Sequence, residues 1–275
     1  MTSVSGPIAE APIAPVVSTM ENMLHTHMQW LKQSALSIFQ LTLPLATRRR
    51  MLARLRGAPP PGGLDFGDLR RKTPISRTFG FDRGLPVDRY YIENFLSRHT
   101  GDIRGRVMEI KSNAYTRRFG EERVEVSDIL DVDKHNREAT IIADLTRADA
   151  VPANIFDCII LTQTLLLIYD VPAALQTCFR ILKPGGVLLL TVPGISQMDY
   201  KALGHTWHWS FTQASMQRLL EENFGNRDLK VESQGNVLAA TAQLHGIATE
   251  ELTAGELDTQ DPDYQVLITA RVVKN

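Results

Sequence analysis

The stretch Phe156-Asp157-Cys158-Ile159-Ile160-Leu161-Thr162, followed by Asp170-Val171-Pro172 and then by Ile181-Leu182-Lys183-Pro184-Gly185-Gly186-Val187-Leu188-Leu189, decides how this chain folds. Its first and last segments are almost wholly apolar, the pattern of strands buried on both faces. Between them Asp170 is placed to cap a helix that has Pro172 in its first turn, and Leu175, Cys178, Ile181 and Leu182 share one face of it. Pro184-Gly185-Gly186 stops that helix, because proline lacks the amide a helix needs and glycine adopts positive φ freely. Strand, crossover helix and strand in this order make the unit of a parallel sheet.

Working outward, the alternation of strand and helix patterns continues in both directions. Strands are expected over 106–110, 123–127, 140–143, 157–162 and 187–192, with two later ones over 229–233 and 264–272 completing a seven-stranded sheet. Pro86 opens another helix, which carries Val87, Tyr90, Tyr91 and Phe95 on one face and ends at Gly101. The fold class is therefore α/β: a mostly parallel sheet with helices on both faces.

Ahead of this domain the composition changes. Residues 1–16 are rich in Pro, Ala and Ser and read as a tail; 17–63 read as a helical appendage and linker, and 64–275 as the main domain. In the appendage Met23, Trp30, Leu31, Leu36, Phe39 and Leu43 recur at mixed helical spacings, and Pro44 reads as a break. Ala58-Pro59-Pro60-Pro61-Gly62-Gly63 cannot continue a helix and marks the junction. Arg48, Arg49 and Arg50 read as a solvated helix end, and the appendage helices offer a surface for a homodimer.

The 30 basic and 31 acidic side chains nearly cancel, so no global field steers the protein to nucleic acid or to an anionic membrane. No apolar run reaches the roughly 18 residues of a membrane span, and the start lacks a secretory pattern. Cys158 and Cys178 lie in apolar or helical patterns and read as buried thiols, which suits a cytoplasmic protein. No Cys, His and carboxylate set has metal-ligand spacing, so no metal is expected.

Ligands of open parallel sheets bind beyond the carboxyl ends of the strands. The first strand leads into Glu109-Ile110-Lys111-Ser112-Asn113-Ala114-Tyr115, and the second to Asp128, about twenty residues beyond that loop, where a carboxylate accepts ribose hydroxyls. Asp131 is the runner-up for that role if the strand runs longer, with Asp133 nearby. The third strand ends at Asp144-Leu145 and the fourth at Thr162-Gln163-Thr164. Together with the Lys-Pro-Gly-Gly unit, this series resembles the class I, Rossmann-like, S-adenosylmethionine-dependent methyltransferases of type-11-like sequence. The resemblance implies S-adenosylmethionine as cofactor, with Glu109, Lys111, Ser112 and Asn113 in the first loop, Asp144 and Leu145 at the adenine, and Gln163 where the methionine part meets the acceptor. The family keeps two or three glycines after the acidic residue; here none follows Glu109. Lys111 would repel a positive sulfonium within ~5 Å by on the order of 1 to 3 kcal/mol, or pair with the cofactor carboxylate if turned the other way.

The segment Phe81-Asp82-Arg83-Gly84-Leu85-Pro86-Val87-Asp88-Arg89-Tyr90-Tyr91 resembles a subgroup found in bacterial glycan and specialised-metabolite pathways. It implies Arg83 or Tyr90 at the cofactor carboxylate, against a surface ion pair for Arg83 and helix packing for Tyr90. Gly204-His205-Thr206-Trp207-His208-Trp209-Ser210 is expected to face the substrate. His208, then His205, is the candidate base, since a neutral imidazole near pH 7 can take the acceptor proton. Trp207 and Trp209 would line the substrate site on the side opposite His208, and core packing is the alternative for each of these residues. The expected reaction is methyl transfer to a hydroxyl or amine of a small molecule or sugar. The alternative is a catalytically altered member that serves as a binding or assembly subunit.

Overall fold

The computed structural model describes residues 44–275 apart from 56, 60, 61, 226 and 227. The expected tail over 1–16 and most of the expected appendage lie outside the described residues. The chain divides into two units between Arg70 and Arg71, beyond the expected proline-glycine junction. In the first unit, α1 (Leu45–Leu55) begins directly after Pro44.

The second unit is built on one seven-stranded sheet. Its strands are β1 (Gly105–Ile110), β2 (Val124–Asp131), β3 (Ile141–Ile142), β4 (Phe156–Thr162), β5 (Leu182–Pro193), β6 (Leu229–Gln234) and β7 (Leu267–Val273). The order is β3-β2-β1-β4-β5-β7-β6; the first five run parallel, and β7 is antiparallel to both of its neighbours. This is the mostly parallel, seven-stranded sheet expected from the strand and helix punctuation, in the Rossmann-like form that the resemblance implies. The apolar β4 sits in the middle of the sheet, with Val107, Met108 and Glu109 of β1 on one side and Val187 to Thr191 of β5 on the other.

Alternate residues of the central strands feed two cores, because successive side chains point to opposite faces. On one face Met108, Ile159, Leu161, Leu188 and Leu190 pack against α3 (Val171–Ile181) and α5 (Gln213–Phe224). On the other Val107, Cys158, Ile160, Val187 and Leu189 pack against α2 (Val87–Arg98) and α6 (Val237–His245). Two short helices, α4 (Tyr200–Leu203) and α7 (Ala254–Asp258), complete the unit.

The cap of α3 is as its residues require: the Asp170 side chain accepts from the Ala173 amide at 3.1 Å. The helix ends earlier than the Pro-Gly-Gly turn, at Ile181, and β5 starts at once. Gly185, at φ 78, instead serves an irregularity in the pairing of β4 with β5, and its amide donates to the Lys274 carbonyl at 2.7 Å. The second strand is also longer than expected. The window 123–127 stops at the polar Asp128, but that side chain is neutralised within the sheet, so the strand runs on through buried Ile129 and Leu130 to Asp131.

Among the described residues no helix is long and apolar enough to cross a membrane. Both cysteines are buried as free thiols, and burial pushes their pKa values up, to about 12 for Cys178.

Candidate active site

The carboxyl ends of β1, β2, β3 and β4 come together at one edge of the sheet, and the loops beyond them build the site. Glu109, next to last in β1, is 4% exposed and turns into the first loop. Its carboxyl accepts from the Tyr115 amide at 3.3 Å and from the Thr116 amide and hydroxyl, both at 2.8 Å. Burial raises its pKa against those hydrogen bonds. Glu109 thus braces the loop from inside.

Where the family keeps glycine the loop makes a tight three-residue turn. Lys111 sits at φ 70, and the Ser112 amide donates to the Ile110 carbonyl at 2.8 Å. This is a γ-turn of the strained hand, which a residue without a Cβ adopts most easily. The Lys111 side chain is exposed, and Asn113 donates to the Ser127 hydroxyl at 3.1 Å. Lys111→Gly should raise stability by about 1 kcal/mol, equivalent to about 2–4 °C in a thermal melt. An unchanged or lower midpoint would show that the turn carries no strain.

The tip of β2 is Asp131. One carboxylate oxygen accepts from the Asp133 amide at 3.0 Å and the other from the Asn136 side chain at 2.7 Å. The same Asn136 nitrogen donates to the Lys111 carbonyl at 2.9 Å, so Asn136 clips the first loop to the second strand. Partial burial would raise the Asp131 pKa, but the Asp133 amide, Asn136 and the Lys111 ammonium outweigh it and hold the group below the usual carboxylate range.

Asp128 is placed differently from the expectation. It lies within β2 opposite Met108 of β1, is 6% exposed, and has both oxygens engaged. Arg106 Nε lies at 2.7 Å from Oδ2, and the Thr140 hydroxyl donates to Oδ1 at 2.8 Å. It is a sheet-internal anchor, and Asp131 holds the tip position.

Beyond β3, Asp144 is exposed and one of its oxygens accepts from the Thr146 amide and hydroxyl, each at 2.9 Å. Leu145 is buried in the core rather than laid open beside it. Gln163, directly after β4, has φ 47; its amide donates to the Thr191 carbonyl at 2.9 Å and its side chain to Asp88 Oδ2 at 3.1 Å.

Arg83 and Tyr90 are occupied elsewhere. Arg83 pairs with Glu251, and the Tyr90 hydroxyl donates to Asp258 at 2.6 Å, so both join the start of α2 to the C-terminal segment. The α2 residues that point towards the first loop and β4 are Asp88 and Arg89: Arg89 donates to the Tyr115 hydroxyl at 3.3 Å. Sequence reasoning passed over both. The available signal was an Asp-Arg pair in the first turn of a Pro-opened helix.

In the later segment His205 is exposed beside Tyr200. His208 is exposed, its amide donates to the Leu166 carbonyl at 2.8 Å, and its ring meets the edge of Tyr169 at 5.5 Å. Trp209 stacks on the same Tyr169 at 5.7 Å and donates from Nε1 to the Ile168 carbonyl at 3.0 Å. His208 and Trp209 therefore share one surface beyond the tip of β4, contrary to the expected alternation, because the backbone here is not a strand. Trp207 turns to the core and lies parallel to Phe79, with ring centroids 6.3 Å apart.

A cavity of about 390 Å³ opens at the opposite edge of the sheet, lined by Asp102, Asp157, Gly186 and Arg271. Its charges are largely spent on each other, with Arg271 paired to Asp102 and Asp228, and Lys183 to Asp157. Ligands of open parallel sheets bind beyond the carboxyl ends of the strands, so the candidate site is the edge where the tips of β1 to β4 meet. Among the described residues no group of three or more His, Cys, Asp or Glu could hold a metal ion.

The order and directions of the seven strands are those of the Rossmann-like methyltransferase fold. A model of the methyltransferase domain matches residues 85–232, more than half of the chain, and the chain belongs to that family. Solved structures similar to it include a SAM-dependent methyltransferase from Archaeoglobus fulgidus, at 14% identity and TM-score 0.46, covering 68% of this chain and 94% of that one. Another is the N-methyltransferase NodS from Bradyrhizobium japonicum in complex with S-adenosyl-L-homocysteine, at 14% identity and TM-score 0.45, covering 73% of this chain and 94% of that one. No curated protein matches the chain.

Proposed function

We propose that this protein binds S-adenosylmethionine across the tips of β1 to β4 and transfers its methyl group to a hydroxyl or amine of a small molecule or sugar. The observation that carries the reading is Asp131. It closes β2, keeps its carboxylate below the usual range and is clipped to the first loop by Asn136, which suits a group accepting two ribose hydroxyls. Asp144 takes the adenine amino group with the oxygen that Thr146 leaves free. When bound, the cofactor supplies an electrophilic methyl group. The chain's part is to hold the acceptor in line with that methyl, exclude water, and receive the acceptor proton at His208. Tyr169 and Trp209 form the wall on which the acceptor rests. A sugar or specialised-metabolite acceptor follows from the likeness of residues 81–91 to the subgroup named above.

A second reading, a member of the family that has lost transfer chemistry and serves as a binding or assembly subunit, is favoured by Lys111 at φ 70 and by loop amides spent on Glu109. Isothermal titration with S-adenosylhomocysteine separates the two. The first reading expects saturable one-site binding at micromolar concentrations, on the order of −8 kcal/mol; absence of heat with folded protein would leave only the second.

A further inference from the structure

Helix α1 leaves large apolar side chains in the open: Leu45 is 57% exposed, Met51 49% and Leu55 75%. At about 100° per residue these three and the half-buried Leu52 fall within an arc of roughly 120°. Arg49, Arg50 and Arg54, all exposed, occupy the rest of the circumference. Among the described residues none of these three arginines enters an ion pair. Arg48 is half-buried on the apolar side, a position from which a long stem lies along apolar surface while its charged head reaches out.

The surrounding sequence concentrates the charge. No Asp or Glu occurs from Asn22 to Leu64, whereas Arg48, Arg49, Arg50, Arg54 and Arg56 stand within nine residues. A solvated helix end, as the sequence reading has it, accounts for the arginines but not for the exposed apolar side chains beside them. A second copy could cover Leu45, Met51 and Leu55, but it would bring two arginine clusters together with no local acid to pair them. A nucleic acid would take the arginines and leave the apolar side in water. An anionic bilayer satisfies both sides, since lipid phosphates pair with guanidinium groups and the acyl boundary takes leucine and methionine. The 11 residues make a helix about 16 Å long, too short for a span of about 30 Å but suited to lying in the interface plane.

We infer that α1 is a peripheral membrane anchor: it lies flat on an anionic lipid surface, with Leu45, Met51, Leu52 and Leu55 in the acyl boundary and Arg49, Arg50 and Arg54 at the lipid phosphates. The inference stands on the first unit alone and does not depend on the donor reading.

The test is vesicle sedimentation with the full chain. Vesicles with about a third phosphatidylglycerol should carry the protein down, and pure phosphatidylcholine vesicles should bind at least about 100-fold more weakly, since each arginine near an anionic surface is worth about fivefold. Raising NaCl to about 1 M, where the screening length falls to about 3 Å, should release the protein. Arg49→Gln, Arg50→Gln and Arg54→Gln together should weaken binding about 100-fold; Met51→Ser with Leu55→Ser, at unchanged charge, about tenfold. No sedimentation with the anionic vesicles, or equal sedimentation with the neutral ones, overturns the inference; this comparison uses wild-type protein and decides without any variant. Unchanged vesicle binding by the variant at Met51 and Leu55 overturns it too and makes α1 a polycation for which nucleic acid is the better partner. A dimer in light scattering that this variant breaks, with no vesicle binding by wild-type protein, assigns the apolar side to a second copy instead.

Discussion

Asp131→Ala is expected to weaken S-adenosylhomocysteine by about 100-fold with little change in melting temperature, and Asp128→Ala to do the reverse. Two charge-assisted hydrogen bonds to a ribose supply roughly the 2.7 kcal/mol that such a loss represents. Asp131 is partly exposed at a strand tip, and its partners Asp133 and Asn136 lie in a solvated turn where water replaces them. Asp128 has no such freedom. Its side chain is 8% exposed and closes β1, β2 and the start of β3 through Arg106 and Thr140. Removing it takes from the Thr140 hydroxyl, on an exposed residue, and from the Arg106 side chain, 39% exposed, the carboxylate that ties them together, and water replaces it only in part. The cost is about 1–2 kcal/mol, or about 2–8 °C in a melt. Calorimetric titration and differential scanning fluorimetry on the two variants read both quantities. A stable Asp128→Ala protein that fails to bind would return the ribose role to the inner aspartate.

His208→Ala should lower turnover by at least about 100-fold, the usual contribution of a positioned base, while S-adenosylhomocysteine affinity stays within about twofold. The separation follows from geometry. His208 hangs from the Leu166 carbonyl just beyond the tip of β4, with its ring on Tyr169, whereas the proposed nucleoside contacts belong to β2 and the loop after β3. His205, beside Tyr200 and off that surface, should cost far less when replaced. Release of S-adenosylhomocysteine, measured over a panel of hydroxyl and amine acceptors, gives the turnover. A variant as active as wild type would remove His208 from the chemistry and leave Tyr169 and Trp209 as a binding wall.

The sequence alone determined the sheet, because the features that specify it are local. Two-sided burial leaves an unbroken apolar run in β4, an aspartate cap and a proline announce α3, and alternating punctuation sets seven strands in turn. Residue types at strand ends could also be nominated, since loops follow strands in a known order. Which of two aspartates faces outward was beyond local reading. Asp128 and Asp131 differ by three positions, and the choice depends on Arg106 and Thr140 arriving from other strands to neutralise the inner one. The same holds for Arg83 and Tyr90, claimed by Glu251 and Asp258 from a segment more than 150 residues away, as the separation of 168 in each pair shows. Tertiary structure decided these points because a polar side chain is structural or available only according to whether distant parts of the chain bring it a partner, and pairing at that range leaves no period in the sequence.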